Sequence, residues 1–251
     1  MRFNKRSLFM VTAVCLPLVM TGCTRTPGDP LECFNRGVFG FNKALDRVVI
    51  KPAAHLYDAL IPKPVKMGVS NVYENLRELP TFANDVLQGK FRDASNTGGR
   101  FVLNTTIGIV GIFNVASYAG LERRTNDFGL TLARWGWKDS SYLVLPILGP
   151  STIRDGIGLG ATYYMSVYPY IHSRKARYGL LALYYVELRA DFLKNEPAIE
   201  EASINEYTFY KDAYLQHRQY EMGGENTSTE NATNTTNGTD NTGAELQGPP
   251  P

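Results

Sequence analysis

Apolar residues recur at three- and four-residue spacing from Leu31 through Phe34, Val38, Phe41, Leu45 and Val48, which predicts an amphipathic helix over about 30–50. Asp29-Pro30-Leu31-Glu32 supplies its start: Asp29 suits the N-cap, Pro30 the first turn, where no amide donor is missed, and Glu32 can reach back. Pro52 opens a shorter helical piece through Tyr57 and Leu60. Pro62 and Pro64 break it, and Val65, Val69, Val72, Leu76 and Leu79 form the stripe of the next helix. Toward the other end, an apolar helix is expected from Tyr178 to Lys194. An acidic one follows from Glu196 to Gln219, with Ile204, Tyr207, Tyr210 and Tyr214 on one side. The predicted class is all-α, in one folded domain of about 29–221.

Between the helices the pattern changes. No charged residue occurs between Arg100 and Glu122, and Ile, Val and Phe there alternate with Gly108, Gly111, Asn104, Thr105, Thr106, Asn114 and Ser117. The stretch is long enough for a membrane helix and too polar to be a good one. It suits a segment at a lipid boundary or along a wet passage, or a buried helix pair broken by glycine. Leu130 to Pro150 carries Trp135, Trp137 and Tyr142, then the run Leu143 to Leu148 closed by Gly149-Pro150. Periodicity leaves hairpin and short helix open there, and the rings suit either a headgroup level or a core. The stretch between Asp155 and Arg174 is again free of Asp, Glu, Lys and Arg. Its Gly156, Gly158 and Gly160 have the wrong spacing and context for a dinucleotide loop and fit close backbone packing.

The two ends stand apart from this body. Arg2, Lys5 and Arg6 precede an apolar run that ends in Met20-Thr21-Gly22-Cys23, which reads as residues 1–22 of a bacterial lipoprotein signal with Cys23 as the acylated first residue of the mature chain. Two or three acyl chains anchor stably where one does so only marginally. Residues 23–28 then form a short lipidated tether. Thr24, in place of Asp after the cysteine, agrees with outer-membrane sorting. With Cys15 removed and Cys23 acylated, Cys33 is left as a lone thiol, expected to pack on a helix rather than react. From Met222 the chain turns Asn/Thr/Gly-rich, so residues 222–251 are expected to be disordered, and the sequons at Asn226, Asn231, Asn234 and Asn237 follow from that composition.

Charge adds little, since 26 Lys and Arg against 24 Asp and Glu give a formal net charge of +2 and no nucleic-acid surface is indicated. His55, His172 and His217 are scattered. There is no H-E-x-x-H, cysteine pair, G-x-S-x-G elbow or Walker loop, so no metal, cofactor or catalytic residue is expected and the chain reads as a non-enzyme. Moving a phospholipid needs what the uncharged stretches offer: polar groups for the headgroup and apolar surface for the tails.

Asp29-Pro30-Leu31-Glu32, Asn35-Arg36, Phe39, Phe41-Asn42, Leu45-Asp46, Asn75-Leu76, Asn84, Leu87-Gln88-Gly89-Lys90 and Arg100-Phe101 resemble the MlaA family, also called VacJ. So do Asn104-Thr105, Gly108, Gly111, Phe128-Gly129, Thr131-Leu132, Leu145-Pro146, Gly149-Pro150-Ser151-Thr152 and Arg154-Asp155, and the likeness spans about 29–220. The resemblance implies a ring of helices lying in the inner leaflet of the outer membrane, facing the periplasm, around an amphipathic channel. It further implies that phospholipids misplaced in the outer leaflet are withdrawn beside a trimeric porin and passed to the soluble periplasmic carrier MlaC, which maintains lipid asymmetry. Carried over, Trp135 to Pro146 would be a hairpin at the channel. Phe39, Phe41, Asn42, Tyr142, Leu143, Leu145, Pro146 and Arg154 are the candidate channel residues. Asn114 stands where the family usually has Asp, and Leu130 where it has Gln. Asp139-Ser140-Ser141 stands where Gly and Pro are usual, which removes a hinge. A porin-bound scaffold that moves no lipid is the alternative reading, and a lipid-ester hydrolase a more distant one for want of a Ser/His/Asp arrangement.

Overall fold

The computed structural model describes residues 30–236; the signal segment, Cys23, the tether with Asp29 and the last residues of the tail lie outside them. Helix α1 (Glu32–Leu45) passes through a five-residue π turn, Asp46–Ile50, straight into α2 (Lys51–Leu60). Pro52 was expected to open a separate piece. Instead the rod continues, because the wider turn, in which the Lys51 amide donates to the Asp46 carbonyl, takes up the missing donor and ring bulk of the proline. The break comes at Pro62, before α3 (Lys63–Leu87). A tight turn with Gly89 at φ +72°, a backbone region that favours glycine, leads into α4 (Phe91–Thr106). Short helices α5 (Val115–Tyr118) and α6 (Phe128–Arg134) follow, capped by Asn114 and Asp127.

Strands β1 (Tyr142–Leu145) and β2 (Gly149–Thr152) pair antiparallel, Tyr142 opposite Thr152 and Val144 opposite Pro150. The hairpin therefore spans 142–152, and Trp135 to Ser141, where it was expected to begin, is irregular apart from the end turn of α6. Helix α7 (Ile153–Met165), a 3-10 turn at Tyr168–Tyr170, and α8 (Arg174–Phe192) complete the middle. The acidic helix expected over 196–219 is two, α9 (Glu196–Ala202) and α10 (Glu206–Thr236). Asn205 accepts the Thr208 amide and starts a new helix, which leaves Ile204 fully exposed in the gap. Helix α10 runs past Met222 to Thr236, into the stretch read from composition as a tail.

The contacts close a circuit: α1 on β1, the hairpin on α7, α7 on α3, α3 on α8, α8 along α2, and α2 continuous with α1. Helix α4 lies along α3, and α10 reaches α6 and β2. The protein is helical with one hairpin, and it closes as a ring.

Burial is inverted. The buried apolar residues are few and mostly small or aromatic, such as Ala54, Ala94, Ala116, Ala133, Tyr73 and Tyr207, whereas Asn35, Asn84, Thr97, Arg100, Thr131 and Arg154 are almost fully enclosed. The apolar stripe read over 30–50 leaves Phe41 and Val48 exposed. Val65 does the same on α3, whose buried face is Tyr73, Asn75, Glu78, Thr81, Asn84 and Asp85. The enclosed polar groups satisfy one another. Arg100 bonds Glu78 at 2.7 Å and the Leu121 carbonyl at 2.6 Å, while Asp85 accepts from Thr97 and Asn126. Such a core is cheap only when every partner is present.

Gly158 shows the close packing read from the glycine run, since a Cβ there would lie 2.5 Å from the Gly129 amide nitrogen; at Gly160 nothing is within 4 Å. Gly158→Ala is expected to push α6 and α7 apart at a cost of about 1–3 kcal/mol. Gly160→Ala should be neutral or slightly stabilising, because alanine is the better helix former. Thermal unfolding of the two variants side by side checks both.

Candidate functional site

The hairpin is held by asparagines of α1. Asn35 donates to the Tyr142 carbonyl at 3.0 Å and accepts the Val144 amide at 2.8 Å. Three residues further along the hairpin, Asn42 donates to the Leu145 carbonyl at 2.9 Å and accepts the Ile147 amide at 2.8 Å. Seven helical residues rise about 10.5 Å and three strand residues about 10 Å, so the two asparagines meet β1 in register. Through them α1 occupies the outer edge of β1, a position a third strand would otherwise take. The turn beyond is strained, with Ile147 at φ +70° and exposed together with Leu148.

Tyr142 is buried against Tyr207 and Tyr214, and Phe39 packs edge-on to Tyr207 at 5.8 Å. Leu143 and Leu145 are half-buried, and Pro146 is exposed in the turn. Phe41 sits on the outward side of α1, apart from this group. Phe39, Asn42, Val144 and Ile147 line a cleft of about 330 Å³ with Arg189, Phe192, Ile199, Ser203 and Tyr210. Its walls are largely apolar. At its polar end Arg189 clamps Asp46 through two hydrogen bonds, 2.8 and 3.0 Å, and Glu196 at 2.7 Å. Arg189 Nη1 and Ser203 Oγ, both on residues of the lining, are buried without a hydrogen-bond partner. Their roles are invisible in the sequence, because Arg189 and Asp46 are 143 residues apart.

Arg154 lies on the far side of the hairpin, buried. It bonds Asp155 at 2.9 Å and the Lys138 carbonyl at 3.0 Å. Arg218 of α10 joins the same cluster through Asp155 (2.7 Å) and Asp127 (2.7 Å), and Tyr214 donates to Asp155 at 2.8 Å. Burial would raise the Asp155 carboxyl, but hydrogen bonds and charge from Arg218 and Arg154 outweigh it and hold the group well below the usual carboxylate range. Burial and the neighbouring Asp155 charge raise the Tyr214 phenol, so it stays a donor. The Ser140 hydroxyl accepts the Arg154 amide at 2.9 Å and the Ser141 carbonyl accepts the Ile153 amide at 3.1 Å. The segment that departs from the family pattern is thus hydrogen-bonded to α7. Asn114, another departure, caps α5 beside Arg100. Leu130 is buried on α6.

Between α4 and α5 an apolar lip protrudes. Ile107, Ile109, Val110, Ile112 and Phe113 are all exposed, with Ile109 at φ +53° and Val110 at +57°. Two β-branched residues in the left-handed region cost roughly 1–3 kcal/mol each. Among the described residues no helix is long and apolar enough to cross a membrane, and no three side chains of metal-ligating type gather. His55, His172 and His217 are on the surface, and Cys33 is half-buried on α1 and takes part in a disulfide, not the lone thiol expected.

The helices form a ring with enclosed polar groups and exposed hydrophobes, and among the described residues none is long and apolar enough to cross a membrane. The chain belongs to the MlaA lipoprotein family, whose sequence model matches residues 27–221. It is 31% identical over 228 residues to the intermembrane phospholipid transport system lipoprotein MlaA of Haemophilus influenzae, covering 85% of this chain and 90% of that one. It is 32% identical over 200 residues to the protein of the same name from Escherichia coli K12, covering 78% and 79%. A solved structure described as the structural basis for maintenance of bacterial outer membrane lipid asymmetry superposes with a TM-score of 0.69 at 32% identity, covering 78% of this chain and 98% of that one.

Proposed function

We propose that this protein is an outer-membrane lipoprotein, anchored through Cys23 on the periplasmic side, that draws phospholipid out of the outer leaflet and hands it to a soluble carrier of the MlaC kind without breaking a bond. The observation that carries the reading is the inverted burial. A ring with exposed Phe41, Val48, Val65, Ile109 and Phe113 and an enclosed polar interior is stable where its outside meets hydrocarbon. Among the described residues no helix is long and apolar enough to cross a membrane, and a seat in one leaflet beside a trimeric porin is part of this reading. The amphipathic cleft at Phe39, Asn42 and Ile147 suits an acyl chain along its walls, with polar lipid atoms at Arg189 Nη1 and Ser203 Oγ. The names borne by the relatives agree with transport of phospholipid. Direction follows from the lipid's free energy on the two sides, not from this chain.

Deleting the protein is expected to raise phospholipid in the outer leaflet of intact cells, measured by lipid labelling at the surface. Wild-type protein should restore it and Cys23→Ser should not. Unchanged surface phospholipid in the deletion strain, with porin association intact, would sink transport and leave the scaffold reading.

A further inference from the structure

The first turn of α8 carries three cations, Arg174, Lys175 and Arg177, and the reading above makes no use of them. Arg174 and Lys175 are exposed and Arg177 is half-buried. No acidic residue occurs between Asp155 and Glu187, and among the described residues no carboxylate pairs with any of the three cations. Their charge is unanswered within the fold, although the chain as a whole is nearly neutral at +2. Helix stability does not account for them either, since cations at the start of a helix oppose its macrodipole. Like charges gathered in one helical turn attract an anion from outside.

The surroundings of the cations say what kind of anion. Tyr164, Tyr170 and Tyr178 flank them along the chain and are exposed by 69%, 71% and 62%. The Tyr170 hydroxyl donates to the Tyr164 carbonyl at 3.1 Å, which ties the end of α7 to the turn that leads into α8. The Arg177 guanidinium lies 4 residues into the helix and 5.3 Å from the centre of the Tyr178 ring. Beyond them α8 carries no charge until Glu187, which is buried, and it leaves Leu180, Leu183 and Leu188 exposed. Cations, then tyrosine, then exposed leucine is the order met on passing from lipid phosphate through the interface into hydrocarbon. A free anion would leave the rings and leucines unused, and an acidic protein face would leave the leucines without an apolar partner. An anionic lipid surface engages all three.

We infer that the start of α8 docks on anionic phospholipid headgroups of the bilayer, with Arg174, Lys175 and Arg177 at the phosphate level and Tyr178, Leu180 and Leu183 against the acyl chains. The inference rests on the membrane seat proposed above and adds to it a dependence on lipid charge. Three cations fall short of the roughly four to eight that mark a segment as an anionic-lipid binder by itself, so the contact orients a body that is already anchored. The test adds full-length acylated protein to preformed vesicles of phosphatidylcholine, alone or with about one-third phosphatidylglycerol. Labelling of Lys175 by a water-soluble amine reagent is then followed by mass spectrometry. Phosphatidylglycerol should slow it about fivefold, the factor contributed by one cation beside an anionic surface, and high salt should restore it. Lys194, paired with Asp191, should label alike in both vesicles. Arg174→Gln with Arg177→Gln should abolish most of the slowing. Arg174→Lys with Arg177→Lys should keep it, which separates lost charge from lost folding. Equal labelling of Lys175 in the two vesicles, a slowing shared by Lys194, or the same slowing by inorganic phosphate in detergent without lipid would overturn the docking. So would slowing in cells but not in vesicles, the result an acidic protein partner would give. Failure here with surface phospholipid still raised in the deletion strain removes the docking only. Slowing as expected with unchanged surface phospholipid removes the transport role only.

Discussion

Arg218→Ala should destabilise the protein by roughly 3–5 kcal/mol, the cost typical of removing one partner from a buried ion pair. Arg218 is almost fully enclosed and ties α10 to α6 through Asp127 and to α7 through Asp155. Its loss leaves Asp155 with Arg154 and Tyr214, so the lower end of that range is the expectation. Thermal unfolding in detergent should show the drop, and limited proteolysis should cut α10 first between Tyr207 and Tyr220. Arg218→Met, which keeps the volume without the charge, should behave like alanine if the ion pair is the cause.

The pH dependence has a definite sign. The Asp155 carboxyl is depressed in the folded state, so its contribution is fully present above the ordinary aspartate pKa of about 3.9 and is lost as pH falls below it toward the folded value. Wild-type protein should therefore lose little from this group between pH 7 and 5. The gap between wild type and Arg218→Ala should narrow below about pH 4. A gap that stays constant down to pH 3 would assign the loss to packing instead of charge.

Asn35→Ala is the other change with a large expected effect. Asn35 is wholly enclosed, and its amide serves both the Tyr142 carbonyl and the Val144 amide. Removing it leaves two buried backbone groups unpaired, at about 1–3 kcal/mol each. Strand β2 cannot compensate, because the Tyr142 carbonyl and the Val144 amide both point from the outer edge of β1 toward α1, away from it. Hydrogen exchange at the Val144 amide should accelerate strongly while the helical amides of α3 keep their protection. Asn42→Ala, at the more open end of the hairpin, should cost about 1 kcal/mol. Unaltered Val144 protection in Asn35→Ala would mean that the neighbouring tyrosines hold the strand without the asparagine. Because Val144 and Ile147 line the apolar cleft, Asn35→Ala should also weaken lipid retention there.

Much of the fold was legible along the chain. Spacing and proline positions located α1, the break at Pro62 and the start of α3, since local backbone geometry governs both. The run Leu143 to Pro150 left hairpin and helix open, and only pairing across the turn with α1 alongside decided it. Hydrophobic periodicity found the stripe Phe41, Val48 and Val65 but not the side of the helix that turns inward. Periodicity records that one face differs from the other; which face is covered depends on what surrounds the protein.

Residues 20–23, the uncharged stretches and the helical periods are local properties, so the sequence alone determined the lipoprotein signal motif, the helical class and the family resemblance. The closure of the ring, the seating of Asn35 and Asn42 on β1, and the cluster of Arg154, Asp155 and Arg218 were decided by tertiary structure. Each joins side chains far apart in sequence, and polar partners of that kind carry no period. They become visible only when burial forces each buried donor and acceptor to find another.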